Sequence, residues 1–224
     1  MSEPRASLRA VTEPAYLTEV RAAYDTVADD YAALLRDELA VMPFDRAMLA
    51  TFAELVRQSG PGPVADLGCG PGRVTAHLAG LGLDAWGMDL SPGMVDVARR
   101  SHPGLRFEVG TLSRLDVPDA ALAGVVAWYS LIHTAPDDLP AVLAELARVL
   151  RPGGELLTAF QVGDARVRLE QAYGHTVSYD VWRIPPERLT EQLAAAGLRV
   201  HARLVRDPAG PETTARAYLL ARKA

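Results

Sequence analysis

The chain has 224 residues but a single cysteine, Cys69, and a single lysine, Lys223. One cysteine excludes an internal disulfide and any zinc site built from several thiolates. A lysine next to the last residue excludes a Walker phosphate loop, which needs an internal Gly-Lys pair, and a buried Schiff-base lysine. Basic tracts are lacking too. Lys and Arg total 23 against 28 Asp and Glu, a net charge of −5, so a nucleic-acid backbone is not an expected partner. No apolar run approaches a membrane span, and no membrane partner is expected. The opening residues MSEPRASLRAVTEP contain no apolar stretch of a secretory signal, which makes the cytoplasm the expected location. What is present is 49% hydrophobic and 23% charged, the balance of a soluble globular domain with a sizeable core. Nothing in the sequence signals an oligomeric state.

Two patterns divide the chain. From Tyr16, the residues Val20, Tyr24, Val27, Tyr31 and Leu34 recur every three or four positions, a helical stripe with Thr12 and Pro14 as start signals. A second helix follows Pro43, with Phe44, Met48, Phe52 and Val56 on one face. Gly60-Pro61-Gly62-Pro63 then marks the boundary between N-terminal helices (1–59), expected to pack as a cap, and a core (60–224). In the core, short apolar runs alternate with helices. The runs are Val64–Leu67, Ala85–Leu90, Leu105–Val109, Leu122–Tyr129, Glu155–Phe160, Leu198–Val205 and Thr214–Leu220. The helices are expected near 72–81, 91–101, 137–150 and 186–196, with Arg151-Pro-Gly-Gly154 and Gly197 ending the last two. This alternation predicts an α/β fold with a mostly parallel sheet covered on both faces. The last two strands are joined by a short Pro/Gly turn and should pair antiparallel. Residues 161–183 are polar and read as a loop or small insertion.

The strongest chemical signal is Val64-Ala-Asp66-Leu-Gly68-Cys69-Gly70-Pro71-Gly72-Arg73, a strand running through a glycine turn into a helix. Glycines permit close approach of the backbone to a ligand at a helix N-terminus. The dinucleotide fingerprint GxGxxG fails, because Arg73 stands where its third glycine belongs. The strand ends in an acid, Asp66, which would repel a pyrophosphate and attract a cation. A second acid, Asp89, ends the next strand, where a carboxylate grips ribose hydroxyls. The pair suits a nucleoside with a ribose and a positive charge but no phosphates, a description that S-adenosylmethionine fits.

At this point the sequence resembles the class I S-adenosylmethionine-dependent methyltransferases of small-molecule type, over roughly residues 60–221. VADLGCGPGRVTAHLA, GMDLSPGMVDVARR, FEVGTLSRLDVPDAAL and GVVAWYSLIHT, with the later LRPGGELLTAF, are similar to successive motifs of that family. The resemblance implies a Rossmann-like doubly wound sheet of order 3-2-1-4-5-7-6 with its seventh strand antiparallel. It implies S-adenosylmethionine as cofactor and S-adenosylhomocysteine as product. Asp66, Gly68, Cys69 and Gly70 would form the turn beside that cofactor, and Asp89 with Leu90 would hold the ribose. Met94, Gly110, Thr111 and Leu112 would border the adenine; Thr111 departs from the more usual Asp. Trp128, Tyr129 and Ser130 would lie near the reacting end. Tyr24-Asp25-Thr26-Val27-Ala28-Asp29-Asp30-Tyr31 resembles a YDxxAxxY segment that forms a lid in relatives, although tyrosines at helical spacing read equally as core. Cys69 reads as a packing residue, and Arg73 as a surface residue at a helix start.

Methyl transfer from a sulfonium needs positioning first, and a base only if the acceptor must lose a proton. His133, just past the fourth strand, is the first base candidate, because an unperturbed imidazole titrates near neutrality; it also reads as a helix cap. His175, in the 161–183 insertion, and Tyr129 are further catalytic candidates; His175 reads equally as solvated. Trp128, Tyr129, Tyr179 and Trp182 supply an aromatic wall for a planar or cationic acceptor. His77, His102 and His201 read as lying away from the site. Closely spaced His and carboxylate ligands are lacking, so no metal is expected. The fourth strand ends Ala127-Trp128-Tyr129-Ser130 rather than in the Asn/Asp-Pro-Pro-aromatic motif of enzymes that methylate amino groups of DNA bases or glutamine. The expected acceptor is a small metabolite, methylated on oxygen, nitrogen or carbon, with natural-product biosynthesis a setting suggested by the Arg/Ala-rich composition. Two alternatives stand beside this: an NAD(P)-dependent oxidoreductase, and a catalytically silent S-adenosylmethionine-binding protein.

Overall fold

Proline sets the first helix. α1 (Ala15–Leu35) begins directly after Pro14, and its stripe Val20, Ala23, Val27 and Ala28 is buried. A short turn of helix, α2 (Glu38–Val41), leads into α3 (Pro43–Gln58), which again has proline in its first turn and buries Met48, Leu49, Phe52, Ala53 and Val56. The computed structural model describes residues 13–210 and 212–224; the expected start signal Thr12 lies outside the described residues.

The core then alternates β1 (Pro63–Leu67), α4 (Arg73–Gly80), β2 (Asp84–Asp89), α5 (Pro92–Ser101), β3 (Phe107–Val109) and β4 (Leu122–Trp128). A single 3-10 turn (Leu131–His133) precedes α6 (Leu139–Val149), β5 (Leu150–Gln161), β6 (Ala165–Ala172), β7 (His175–Arg183), α7 (Pro186–Ala195), β8 (Leu198–Arg206) and β9 (Arg216–Lys223). Seven strands form one sheet in the order β3-β2-β1-β4-β5-β9-β8. The first five run parallel and β9 is antiparallel to both neighbours. This is the expected 3-2-1-4-5-7-6 order once the two strands outside the sheet are set aside. β4 is buried at every position, as a central strand covered on both faces must be.

Helices cover the two faces unequally. α3 and α4 pack Leu49, Phe52, Val56, Val74 and Leu78 against Val64, Val126, Leu157 and Tyr218. α5 covers the same face nearer β3, packing Val95 and Ala98 against Cys69 and Phe107. On the other face, α6 and α7 share one core with α1 and the inner side of β7. α3 is therefore a structural layer of the sheet, while α1 lies over the end of it where β1, β2 and β4 terminate. Gly124 lets α3 approach: a Cβ there would sit 2.7 Å from the Phe52 ring.

Two expectations are refined. Of the two readings of residues 161–183, loop or small insertion, the structure has an ordered insertion, in which β6 and β7 pair as an antiparallel hairpin. Its two-residue loop, Tyr173-Gly174, has positive φ at both positions (53° and 83°), the twist a tight hairpin needs. Arg151-Pro-Gly-Gly154 is not a terminal helix cap. α6 ends at Val149, and these residues already belong to β5, with Leu150 opposite Leu122. The Arg151 guanidinium donates to the carbonyls of Ser59, Gly60 and Pro61, fixing the turn that enters β1.

Candidate functional site

β1 and β2 end side by side, with Asp66 opposite Gly87 and Leu67 opposite Met88. The glycine turn after β1 folds back on β2: Gly68 and Cys69 both donate N–H to the Met88 carbonyl, at 2.7 and 3.0 Å. Gly70 donates to Asp89 Oδ2 at 2.7 Å, and Gly72 donates to the Cys69 carbonyl at 3.1 Å. Gly68 has φ of 78°, and a Cβ on it would overlap the Ser130 side chain. Glycine is thus required at this crossing of the β1 and β4 loops. The turn spends its N–H groups inside the protein and presents a carboxylate to the space above. Asp89 accepts one N–H on each oxygen, from Gly70 and from Ser91 at 2.9 Å, which leaves lone pairs open for hydroxyl donors. Burial raises its pKa to about 6, against the pull of those two N–H groups.

Above Asp89 is a cavity with about 810 Å³ of empty space, counted to include its open mouth. Gly68, Gly70, Asp89 and Leu90 line its floor, and Gly110, Thr111 and Leu112 one side. Trp128, Tyr129, Ser130 and His133 line the opposite side, and Tyr24 and Tyr31 the roof. The remaining cofactor candidates do not line it. Asp66 is fully buried beneath the turn, where Thr75 Oγ1 donates to its Oδ2 at 2.7 Å. Burial raises its pKa to about 7, with its Oδ1 unpartnered. Cys69 packs with Val95, Ala98 and Phe107, and burial pushes its thiol well up, as expected of a packing residue. Met94 is fully buried on the inner face of α5. Arg73 is not a surface residue: it pairs with Glu38 at 2.7 Å and is mostly covered.

α1 is latched over the cavity from two sides. Asp25 Oδ1 accepts from Ser91 Oγ at 2.6 Å and from Gly93 N–H at 2.8 Å, tying α1 to the start of α5. Arg21 donates to the Leu90 carbonyl at 3.3 Å and is neutralised by Glu13. On the hairpin side, Glu19 pairs with Arg168 at 2.6 Å and Asp30 with His175 at 2.7 Å. With Arg21 paired, the fixed charge facing the cavity is the Asp89 carboxylate, a field that favours a cationic ligand.

Aromatic rings fill the space beneath α1. Tyr24 packs against Tyr31, His133 and Tyr179 with ring centroids 5.2 to 5.9 Å apart. Tyr24 therefore does both jobs that the sequence left open, packing in the core and roofing the cavity. The Tyr24 hydroxyl and His133 Nε2 share a hydrogen bond of 2.9 Å, while His133 Nδ1 is buried without a partner. The His133 imidazole is not an unperturbed one. Burial lowers its pKa to about 4, so the imidazole is neutral at pH 7. Tyr129 has φ of 53°, strained for a bulky residue and held by its N–H bond to the Ala159 carbonyl. Burial raises its hydroxyl pKa far beyond reach at neutral pH. His175 lies at the hairpin tip bonded to Asp30, outside the cavity lining. Of the aromatic wall, Trp128 and Tyr129 line the cavity. Tyr179 stands behind Tyr24, and Trp182 faces Tyr16, which itself lines the mouth, at 5.8 Å. His201 bonds Glu155 at 2.9 Å, away from the site.

Several lining residues had no expectation attached: Arg21, Met88, Ser91, Thr134 and Val142. Ser91 was legible as a helix cap in Ser91-Pro92, and it does accept from Met94 N–H at 3.0 Å. Its second bond, to Asp25, depends on where α1 docks and has no local signal. Among the described residues, no group of three or more His, Cys, Asp and Glu could hold a metal, and no helix is long and apolar enough to cross a membrane.

Comparison with known proteins places this geometry in context. Residues 64–154 match the family model described as a methyltransferase domain. A malonyl-[acyl-carrier protein] O-methyltransferase of Serratia marcescens is 40% identical over 92 residues, 41% of this chain and 35% of that protein. The chain spans roughly a third to a half of the length of the curated relatives it matches. Two solved structures share the fold along nearly the whole chain. One is the 1,6-didemethyltoxoflavin-N1-methyltransferase of Burkholderia thailandensis with bound 1,6-didemethyltoxoflavin and S-adenosylhomocysteine (TM-score 0.67, 23% identity, covering 100% of this chain and 93% of that one). The other is the magnesium protoporphyrin IX methyltransferase of Synechocystis PCC 6803 with bound S-adenosylmethionine (TM-score 0.70, 18% identity, covering 99% of this chain and 100% of that one).

Proposed function

We propose that this chain, which carries a class I S-adenosylmethionine-dependent methyltransferase core over residues 64–154, moves a methyl group from S-adenosylmethionine to an oxygen, nitrogen or carbon of a small-molecule acceptor. The observation that carries the reading is the inward turn of the glycine loop. The N–H groups of Gly68, Cys69, Gly70 and Gly72 are all bonded within the protein, so a pyrophosphate would find a carboxylate and no free donors. Ribose hydroxyls find what they need, an ionised Asp89 with open lone pairs. The same feature counts against the dinucleotide-dependent oxidoreductase.

S-adenosylmethionine, when bound, supplies a methyl group already activated on a cationic sulfonium, so the residues of the chain need only bind, orient and exclude water. Asp89 and the Gly68–Gly70 turn hold the nucleoside, with Leu90, Gly110, Thr111 and Leu112 against its base. Tyr24 and Tyr31 close over it, and Trp128, Tyr129 and Ser130 face the reacting end. Asp66 and Cys69 act from beneath the turn, as its support, and Met94 through the packing of α5. His133 is the proposed proton acceptor. Its neutral imidazole is ready to receive a proton, but a pKa near 4 makes it a weak base, suited to an acceptor that loses its proton readily. Its bond to Tyr24 orients the ring. An acceptor methylated at an anionic or neutral lone pair needs no stronger base. The setting we infer is cytoplasmic, without nucleic-acid or membrane partners, with natural-product biosynthesis as the finer assignment.

The test is incubation of the full chain with methyl-labelled S-adenosylmethionine and a panel of small carboxylic acids, phenols and nitrogen heterocycles. Label transfer with a mass gain of one CH2, reduced at least about ten-fold by His133→Ala at unchanged cofactor affinity, supports the reading. Tight binding of S-adenosylmethionine with no transfer to any acceptor would favour the silent binding protein.

A further inference from the structure

A second cavity adjoins the first and is used by nothing above. It lies between the start of α6, the β6–β7 hairpin and α7, and the two cavities share Thr134. Tyr16 of the first packs edge-on against Trp182 of the second, and α6 contributes Val142 to one and Leu139 to the other. The second cavity therefore adjoins the first at Thr134, with about 700 Å³ of empty space including its mouth.

Its lining is unbalanced in charge. Arg166, Arg183 and Arg188 face it with one lining carboxylate, Asp164. Two of these guanidiniums are committed. Arg188 forms a two-bond pair with Asp164 at 2.7 and 2.8 Å, and Arg166 pairs with Asp180 at 2.7 Å. Arg183 differs. Among the described residues it has no carboxylate partner. Among those residues its only side-chain bond is a long one, 3.5 Å from Nη2 to Thr213 Oγ1, and its buried Nε finds no acceptor among them. Gly163 makes room for it, since a Cβ at that position would sit 3.0 Å from Arg183 Cβ and Cδ. On the facing helix, the Gln192 Oε1 position is also buried and unpartnered. Amide oxygen and nitrogen are interchangeable by a flip, so Gln192 can offer N–H to the same ligand. A buried guanidinium N–H without an acceptor, beside a free amide and in a net positive pocket, calls for an anion with at least two oxygens.

We propose that the second cavity binds a carboxylate carried by the methyl acceptor, with Arg183 as its main ligand and Gln192 as its second. This rests on the methyltransferase reading for the word acceptor, and on the cavity alone for the anion site. Arg183 thereby sets specificity: the reacting atom lies past Thr134 in the first cavity, and the charged end anchors in the second.

The probe is 4-fluorobenzoate, with 4-fluorobenzamide as its uncharged counterpart, followed by fluorine NMR on the full chain with and without S-adenosylhomocysteine. Benzoate should bind in the millimolar range and the amide about ten-fold more weakly or not at all. Arg183→Gln should weaken benzoate about ten-fold while S-adenosylhomocysteine affinity stays within about two-fold, and Arg57→Gln on the far side of the fold should change neither. Absence of benzoate binding, equal binding of acid and amide, or full benzoate affinity in Arg183→Gln overturns the site. Inorganic phosphate that binds more tightly than benzoate, in an Arg183-dependent way, overturns the acceptor assignment in favour of a free-anion site. Arg183-dependent benzoate binding in a chain that fails to bind S-adenosylhomocysteine does the same, and there the methyltransferase reading fails while the anion site stands.

Discussion

On the β1–β2 side of the cavity, the groups that define the site are fixed by backbone. Gly68, Cys69, Gly70 and Gly72 donate to fixed acceptors, Asp66 is buried, and Ser130 fills the space a side chain at Gly68 would need. On the α1 side, the roof is held by side chains, and the pairs Arg100–Asp29, Arg168–Glu19 and His175–Asp30 all have exposed partners. Exposed pairs contribute at most about 1 kcal/mol each, whereas a strained or overpacked backbone crossing costs about 1–3 kcal/mol for each fault. One side is therefore a rigid template and the other a cover, whose ion pairs add little to the apolar packing of Val20, Ala23, Val27 and Ala28 that seats α1.

The comparison breaks most readily at Gly68. Gly68→Ala should lower stability by about 2–4 kcal/mol, from positive φ and the clash with Ser130, and should abolish cofactor binding; denaturant unfolding and calorimetry check both. A near-neutral substitution would mean the crossing is soft.

Asp66 comes next. Its pKa in the fold, about 7, exceeds the ordinary value of 3.8. Its contribution to stability is thus fully present below 3.8 and is lost as pH rises through about 7. From pH 5 to 8 that loss should be about 2–3 kcal/mol. Asp66→Asn, which keeps an acceptor for Thr75, should flatten that slope and raise the melting temperature at pH 8 relative to the parent. Parallel melting curves for the two chains across this range would contradict a carboxylate buried under the turn.

Asp89 should matter to binding more than to the fold. Asp89→Ala removes a charged acceptor, worth about 1.5–3 kcal/mol, so S-adenosylhomocysteine affinity should fall roughly 10- to 100-fold. In the parent chain affinity should decline as pH drops below about 6, where the carboxylate takes up a proton. An affinity independent of pH between 5 and 8 would put the ribose elsewhere.

The smallest effects belong to the cover, and they sharpen the contrast. Asp25→Ala cuts two bonds to α5 and should weaken cofactor binding about 3- to 10-fold, chiefly through faster release, seen by stopped-flow. Asp29→Asn removes only an exposed pair and should stay within about two-fold. Equal losses would mean that the latch is not local.

Legibility in the sequence follows the same division. The template was readable because its signals are local: Asp66 and Asp89 end their strands, glycines mark the turn, and apolar runs alternate with helices. The cover was harder. The hairpin 165–183 hides its period of two, Val167 and Leu169 against Val177, Tyr179 and Val181, among arginines and acids, and its turn residue Tyr173 is no usual carrier of positive φ. Arg73 read as a surface residue because Glu38 is distant in sequence, and His133 read as a neutral-pH base because the sequence does not reveal its burial between α1 and β7. Such properties are set by docking of distant segments and have no local code.

The central claim is that the glycine turn and Asp89 are built for a cationic nucleoside without phosphates. Calorimetric titration of the full chain with S-adenosylmethionine, S-adenosylhomocysteine and NAD tests it most directly. Micromolar binding of the first two and none of NAD is the expected result; binding of NAD alone would contradict a turn built for a nucleoside without phosphates.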